Sequence, residues 1–193
     1  MEADFAVELG PDDEALEVPW AAADGGRRYH DLKRQPELLL EIEEARGVRE
    51  LGEFLAAVNA PASILETAKC DAWVSTEINP HEEIFGATCK FGSYVDFLFS
   101  RQSSRFSFAE HEQLARRLTQ LLKRVPEIPA AVELIIRRCF YHSAEGMRDG
   151  FYLTFYHFGY GDDEPQARQR WSLAAKLVEN AIRQVSAELQ PPK

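Results

Sequence analysis

The spacing of hydrophobic residues along the chain changes between the period of a helix and the period of a strand. Apolar residues that recur every three or four positions indicate an amphipathic helix, whereas strict alternation indicates a strand with one buried side. Helical spacing predicts helices over residues 36–46, 49–59, 107–125 and 163–189. Alternation predicts strands over residues 68–78, 88–100, 131–142 and 151–160. The order is therefore helix, helix, and then strand–strand–helix twice.

Residues at the ends of these segments support the boundaries. Pro36 and Pro165 suit the first turn of a helix, where the missing N–H costs nothing. Ser107 and Glu110 have the spacing of a capping box, in which the serine side chain accepts a hydrogen bond from a free backbone N–H. The helix over residues 107–125 is therefore expected to begin at Ser107.

The repeated strand–strand–helix order predicts the fold class and the domain organisation. We expect a two-layer α+β fold, with a four-stranded antiparallel sheet built from two ββα units and additional N-terminal helices. Residues 36–190 form the single α+β domain of this prediction. Residues 1–35 are expected to be an extended acidic N-terminal arm, because seven acids and no base lie between Glu2 and Glu17. The element order resembles that of secretion-chaperone-like folds, which are acidic dimers.

Charge and cysteine content bear on the class of protein. The 193 residues include 22 Lys and Arg against 32 Asp and Glu, a net charge of −10. Nucleic acids and anionic membranes bind positive surfaces, so we expect neither as the main partner. Without a basic start and an apolar stretch at the N-terminus, we expect a cytoplasmic protein. The three cysteines have no C-x-x-C pair and are expected to be buried free thiols: Cys70, Cys89 and Cys139.

Few residues suggest catalysis. The glycines around Tyr160 precede a helix, as in phosphate-binding loops, but the acids at 162–164 would occupy the place of an anion. Residues 81–83, a histidine and two glutamates, could bind a metal, but we interpret them as a solvated loop. We therefore predict no catalytic residue, no metal site and no cofactor. The sequence leaves enzymatic activity undecided but favours a protein that is not an enzyme.

The stretch FYLTFYHFGY, residues 151–160, carries aromatic residues on both sides of its predicted strand. One side belongs to the helix-facing core, which we expect to contain Phe91, Val95, Phe97, Phe151, Leu153 and Phe155. The opposite side mixes rings with polar groups, a composition common in interfaces. Its candidate binding residues are Trp73, Tyr94, Arg138, His142, Tyr152 and Tyr156.

Two interpretations of this mixed side remain open. The helices at 36–59 and the arm could cover it, or it could bind another molecule. In the second case we expect a non-enzymatic binding or adaptor protein of unknown partner, acting as a homodimer through this face. The alternative is a small-molecule-binding protein or enzyme. Its pocket would lie between the sheet and the N-terminal helices, with Arg138 or His142 as the polar anchor.

Overall fold

The computed structural model describes residues 1–23 and 25–189, and the elements follow one another along the chain. The strands are β1 (Glu2–Glu8), β2 (Ala15–Val18), β3 (Leu65–Ser75), β4 (Cys89–Phe99), β5 (Ala130–Ser143) and β6 (Gly146–Gly161). The α-helices are α1 (Glu43–Gly47), α2 (Arg49–Val58), α3 (Gln102–Arg105), α4 (Phe108–Leu122) and α5 (Glu164–Leu189). Two 3-10 helices span Pro36–Glu41 and Pro80–Phe85.

The strands form one mixed sheet in the order β1-β5-β6-β4-β3, with β2 continuing along β5 beyond β1. The four strands from β3 to β6 pair antiparallel, whereas β1 and β2 both pair in parallel with β5. The prediction of a four-stranded antiparallel sheet built from two ββα units is therefore wrong. The described residues form six strands, all in one sheet, and the fold class is α+β with a mixed sheet.

The two additional strands come from residues 1–35, here called the arm. In β1, Ala3 and Phe5 face the helices, while Glu2 and Asp4 face the other way and are exposed. This alternation is the pattern of a half-buried edge strand, which the excess of acids obscures in the sequence. The division of the chain into an arm and a domain of residues 36–190 stays a prediction.

The helices α2, α4 and α5 pack on one face of the sheet. Phe54 of α2 stacks on Phe155 at 5.8 Å between ring centroids and lies 6.2 Å from Phe97. Trp171 of α5 is fully buried 4.9 Å from the ring of Phe91, and α4 adds its leucine stripe to the same core. The N-terminal helix α2 therefore shares the layer of α4 and α5.

The helical spacing of residues 36–46 corresponds to two short elements rather than one helix. The 3-10 helix Pro36–Glu41 ends at Ile42, whose backbone is extended (φ −78°, ψ 113°), and α1 follows. The predicted helix over residues 49–59 is present as α2, and those over 107–125 and 163–189 are present as α4 and α5. No helix in the described part of the chain is long and apolar enough to cross a bilayer.

Loss of the α4 cap is expected to lower stability. The Ser107 side chain accepts a hydrogen bond of 3.3 Å from the backbone N–H of Glu110, as its spacing predicts. Ser107→Ala should lower the free energy of unfolding by about 1 kcal/mol, measured by urea denaturation. Ser172→Ala, in the interior of α5, is the matched control and should cost nothing, since alanine favours helices. Equal stability of Ser107→Ala and the wild type would contradict the role of this cap.

Candidate functional site

The sheet face opposite the helices carries a row of aligned side chains across five strands. Strand register places Asp71 beside Tyr94, Tyr94 beside Tyr156, Tyr156 beside Glu133, and Glu133 beside Asp4. Directly opposed residues of neighbouring antiparallel strands have Cβ atoms about 4.5–5.5 Å apart, so the first four of these residues are close neighbours. Asp4 continues the row on the parallel strand β1. Two tyrosines thus occupy the middle of the sheet, with carboxylates on both sides of them.

The tyrosines belong to a continuous ladder of four half-buried rings, which we call the aromatic face: Trp73, Tyr94, Tyr156 and Phe158. Ring centroids lie 6.0 Å apart between Tyr94 and Tyr156, 6.4 Å between Tyr156 and Phe158, and 6.1 Å between Phe158 and Trp73. The contact between Phe158 and Trp73 requires glycine at position 92, because a Cβ there would lie 2.8 Å from the indole. The rings therefore present one connected surface.

One end of the sheet face is covered by the 3-10 helix Pro80–Phe85. Glu82 is buried there and accepts hydrogen bonds of 2.8 Å from the Lys90 ammonium and from the Tyr160 hydroxyl. Phe85 stacks on Tyr160 at 4.2 Å. Burial alone would raise the pKa of Glu82, but its hydrogen bonds, above all that from Lys90, leave the pKa below its ordinary value. The interpretation of residues 81–83 as a solvated loop is thus wrong for Glu82.

The other end of the same sheet face is covered by the arm. Leu16 and Val18 of β2 are buried in a second hydrophobic cluster with Leu98. The indole N–H of Trp20 donates a 2.8 Å hydrogen bond to the carbonyl of Ala68. Since α2 lies on the helix side, the interpretation in which helices 36–59 cover the aromatic face is wrong. The rings in the middle stay half-exposed between the two covered ends.

A buried polar network lies beside the two tyrosines and ties the arm to the sheet. Asp96 is 2% exposed and accepts a 2.8 Å hydrogen bond from the Thr154 hydroxyl, which in turn accepts one from Arg137. Arg137 also forms ion pairs with Glu8 at 2.8 Å and Glu14 at 3.2 Å. Burial raises the pKa of Asp96 to about 7, which places its proton exchange near neutrality.

The structure brings together three of the six predicted binding residues. Trp73, Tyr94 and Tyr156 lie on the aromatic face. Tyr152 points to the same side of the sheet but is fully buried under the arm, and its hydroxyl is buried without a hydrogen-bond partner among the described residues. Tyr152 therefore belongs to the core in this structure.

The two predicted polar anchors lie on the other side of the sheet by register. Arg138 is paired with Phe151, a helix-side residue, and its guanidinium lies 5.3 Å from the ring of Phe140. His142 continues the same alternation at the end of β5 and lies 3.4 Å from Glu17. Neither residue meets the aromatic face.

The carboxylates on the far side of the ladder are site residues that the sequence analysis missed. Asp4 and Glu133 are both exposed and lie in register with the two tyrosines. Two signals could have found them. Glu133 is the one charged residue in the apolar segment 130–136, and Asp4 sits in the alternation of β1.

The chemistry of the buried thiols and imidazoles is that of a hydrophobic core. All three cysteines are free; Cys89 and Cys139 are buried as predicted, whereas Cys70 is half-buried, so the prediction of a buried thiol is wrong there. Burial raises the pKa of Cys70 and of Cys139 to about 12, so these thiols stay protonated near neutrality. Burial lowers the pKa of His157 to about 3, while its ring bonds the Trp171 carbonyl. Among the described residues no three His, Cys, Asp or Glu side chains are grouped to hold a metal ion.

The fold is α+β, with helices packed on one side of a mixed sheet. The other side of the sheet carries the aromatic face, which has carboxylates on both sides of it. Comparison of the chain with protein families, with curated proteins and with solved structures gives no match. A function can therefore be argued only from the geometry and chemistry of the site.

Proposed function

We propose that the protein is a non-enzymatic binding protein whose aromatic face docks a basic segment of another protein. The observation that carries this proposal is the row in which Tyr94 and Tyr156 lie between Asp71 on one side and Glu133 and Asp4 on the other. Aromatic faces attract the cations of arginine and lysine, and nearby carboxylates attract the same cations.

The rings of this face already bind cations of the chain itself. The Lys90 ammonium lies 5.6 Å from the centroid of Phe158, and the Arg137 guanidinium lies 5.8 Å from that of Tyr156. Both contacts are within the distance of about 6 Å at which a cation is attracted by a ring. Arginine and lysine side chains of a partner would use the remaining ring surface in the same way.

Charge favours a basic partner over a second copy of the chain. The sequence predicts a homodimer through this face, but two copies would bring Asp4, Asp71 and Glu133 of each towards the same acids of the other. Like charges placed together across an interface cost free energy, and the net charge of −10 adds to the repulsion. The homodimer stays a prediction, and it is one outcome of the test that follows.

Binding of a fluorescent arginine-rich peptide of about ten residues tests the proposal by anisotropy. We expect binding that weakens with added salt, and no binding of the same peptide with glutamine in place of arginine. The double variant Asp4→Asn and Glu133→Gln should weaken binding about 3- to 10-fold, because two exposed attractions are lost. Tyr156→Ser should weaken it by a similar factor through the lost ring.

The matched control removes two carboxylates from the helix layer, Glu53→Gln with Glu112→Gln. It changes the net charge equally and should leave the affinity for the arginine peptide unchanged. An equal loss in both double variants would show a general charge effect and overturn the docking site. Light scattering is run on the same samples. A mass of twice 21.9 kDa without peptide binding would support the homodimer instead.

A further inference from the structure

The sheet has an open edge at each end of its strand order. Among the described residues β1 pairs only with β5, and β3 pairs only with β4. The unpaired side of such a strand presents backbone N–H and C=O groups to which another strand can bond. Many proteins bind an extended peptide by adding it to a sheet at such an edge. The edges are therefore candidate binding surfaces beside the aromatic face.

A hydrogen bond of β1 shows which of its backbone groups point outward. The Phe5 N–H donates a 2.9 Å hydrogen bond to the carboxylate of Asp4, so it points away from β5. Backbone groups of successive residues in a strand point alternately to its two sides. The N–H and C=O groups of Ala3 and Val7 therefore point outward with those of Phe5, and an added strand could bond to them.

The edge of β3 is less suited to a basic segment. Its Ala72 N–H points outward, since it bonds the carboxylate of the preceding residue at 2.8 Å. The indole of Trp20 already bonds the outward carbonyl of Ala68, and the register of the strand shifts beside it. Lys69 follows this shift and would repel lysine or arginine side chains of a partner. Edge β1 is therefore the better candidate.

Three carboxylates without an ion pair lie along β1 and its neighbour. Glu2 and Asp4 are exposed on the side of the aromatic face, and Glu133 is the register partner of Asp4 in β5. Within residues 1–23 and 25–189, none of the three has a basic group within 4.0 Å. Glu8, at the end of the strand, is instead paired with Arg137 at 2.8 Å. The first part of β1 therefore has unmatched negative charge.

The nearby cations of the chain leave this charge in place. Arg137 is buried and already lies between Glu8 and Glu14. Arg116 lies on the helix side of the sheet, 5.3 Å from the ring centroid of Phe5, and pairs with a glutamate of its own helix. Even if the amino group of Met1 is counted, three carboxylates face one ammonium. Charge at this edge therefore favours a basic strand over an acidic one.

We propose that the basic segment binds as an added strand along the outer edge of β1, with its cations over Glu2 and Asp4. The inference rests on the basic partner of the proposed function and adds its conformation and position. Neighbouring strands lie about 4.8 Å apart, so the added strand lies about 10 Å from β5. A long arginine side chain can meet Glu133 there, beside its register partner Tyr156. A cation that pairs with Asp4 also frees the Phe5 N–H for the new strand.

Backbone methylation of the peptide tests the added strand. In a ten-residue peptide in which arginine alternates with threonine, the N–H groups of one residue type face β1 and those of the other face solvent. One peptide is methylated at the arginine backbone nitrogens and another at the threonine nitrogens. We expect one of them to bind at least about tenfold more weakly than the other, because several backbone hydrogen bonds are lost. Equal affinities of the two methylated peptides would overturn the proposal.

Proline variants of the protein locate the edge. Val7→Pro removes an outward N–H and should weaken the unmodified peptide about 3- to 10-fold. Its fold should persist, since proline is tolerated on an edge strand where its nitrogen faces solvent, and thermal unfolding checks this. Val7→Thr keeps the N–H and should bind like the wild type. The matched control is Val74→Pro on the open edge of β3, because the two valines are 45% and 42% exposed. It should leave the affinity unchanged.

The outcomes separate this inference from the function on which it rests. No binding of the unmodified peptide to the wild type would overturn both. Binding that neither methylation nor Val7→Pro weakens would keep the docking on the aromatic face and overturn the added strand. A loss in Val74→Pro alone would place the segment at β3 and overturn the assignment to β1. If light scattering shows a dimer that Val7→Pro dissociates, the edge binds a second copy and the proposal fails. Should Val7→Pro not fold, the two methylated peptides decide.

Discussion

Gly159→Ala is expected to destabilise the protein strongly. Gly159 lies on the helix side of β6, where the strand approaches the backbone of α5. A Cβ there would overlap the backbone N of Trp171 and the backbone O of Ala167. Backbone atoms cannot rotate aside as a side chain can, so α5 would have to move away from the sheet. We expect a loss of at least about 3 kcal/mol, a large part of the stability of a typical domain.

The matched control for this change is Gly47→Ala. Gly47 is the last residue of α1, and a Cβ at that position would meet no atom within 4 Å. Alanine there should leave stability unchanged or raise it by about 0.5–1 kcal/mol, because glycine is the poorer helix former. Far-UV circular dichroism and thermal unfolding compare both variants with the wild type. A Gly159→Ala variant that melts like the wild type would show that β6 and α5 are not in close contact.

Asp96→Asn is expected to stabilise the protein at high pH. Burial raises the pKa of Asp96 to about 7, well above the ordinary value of about 3.9 for the unfolded chain. Between these values the folded state holds a proton that the unfolded state has lost. The stability contributed by the protonated carboxyl is therefore complete below about pH 4 and is lost as pH rises through about 7. Asparagine stays neutral and should avoid this loss.

The measurement is the urea midpoint of both proteins at pH values of about 5, 7 and 9. The stability difference between Asp96→Asn and the wild type should grow from about pH 4 to 7 and level off above, on the order of a few kcal/mol. Comparing the two proteins cancels the titrating groups that do not interact with Asp96. A constant difference across this range would mean that Asp96 carries its charge in the folded state at all three values.

Much of the fold could be predicted from the sequence because helices and hairpin strands follow from local spacing. The strands β4 and β6 and the helices α4 and α5 all lie where their periodicities predict. The predicted sheet was wrong because pairing between distant segments leaves no local pattern in the sequence. The residues around Glu2 do not indicate that Glu2 pairs with Ala131. The sequences of β4 and β6 likewise do not indicate that these two strands are neighbours in the sheet. The side on which α2 packs is equally a matter of tertiary contact.

Part of the candidate site could also be predicted from local spacing. Trp73, Tyr94 and Tyr156 share a face, since alternation within a strand decides which way a side chain points. Arg138 was assigned to that face although Leu134 and Ile136 face the helices and Arg138 continues their alternation. That signal was present in the sequence. The open edge of β1 was not, because it depends on which strands pair across the sheet.

The parallel pairing of β1 with β5 has a consequence for synthesis on the ribosome. The ion pair between Glu8 and Arg137 joins residues that are 129 positions apart in the chain. At about 5–20 residues per second, β1 leaves the ribosome on the order of ten seconds before its partner strand exists. During that wait its unpaired backbone could join the edge of another nascent chain. Its acids, Glu2, Asp4 and Glu8, discourage such pairing by mutual repulsion, so the charges that hide this strand in the sequence also protect it until β5 is made.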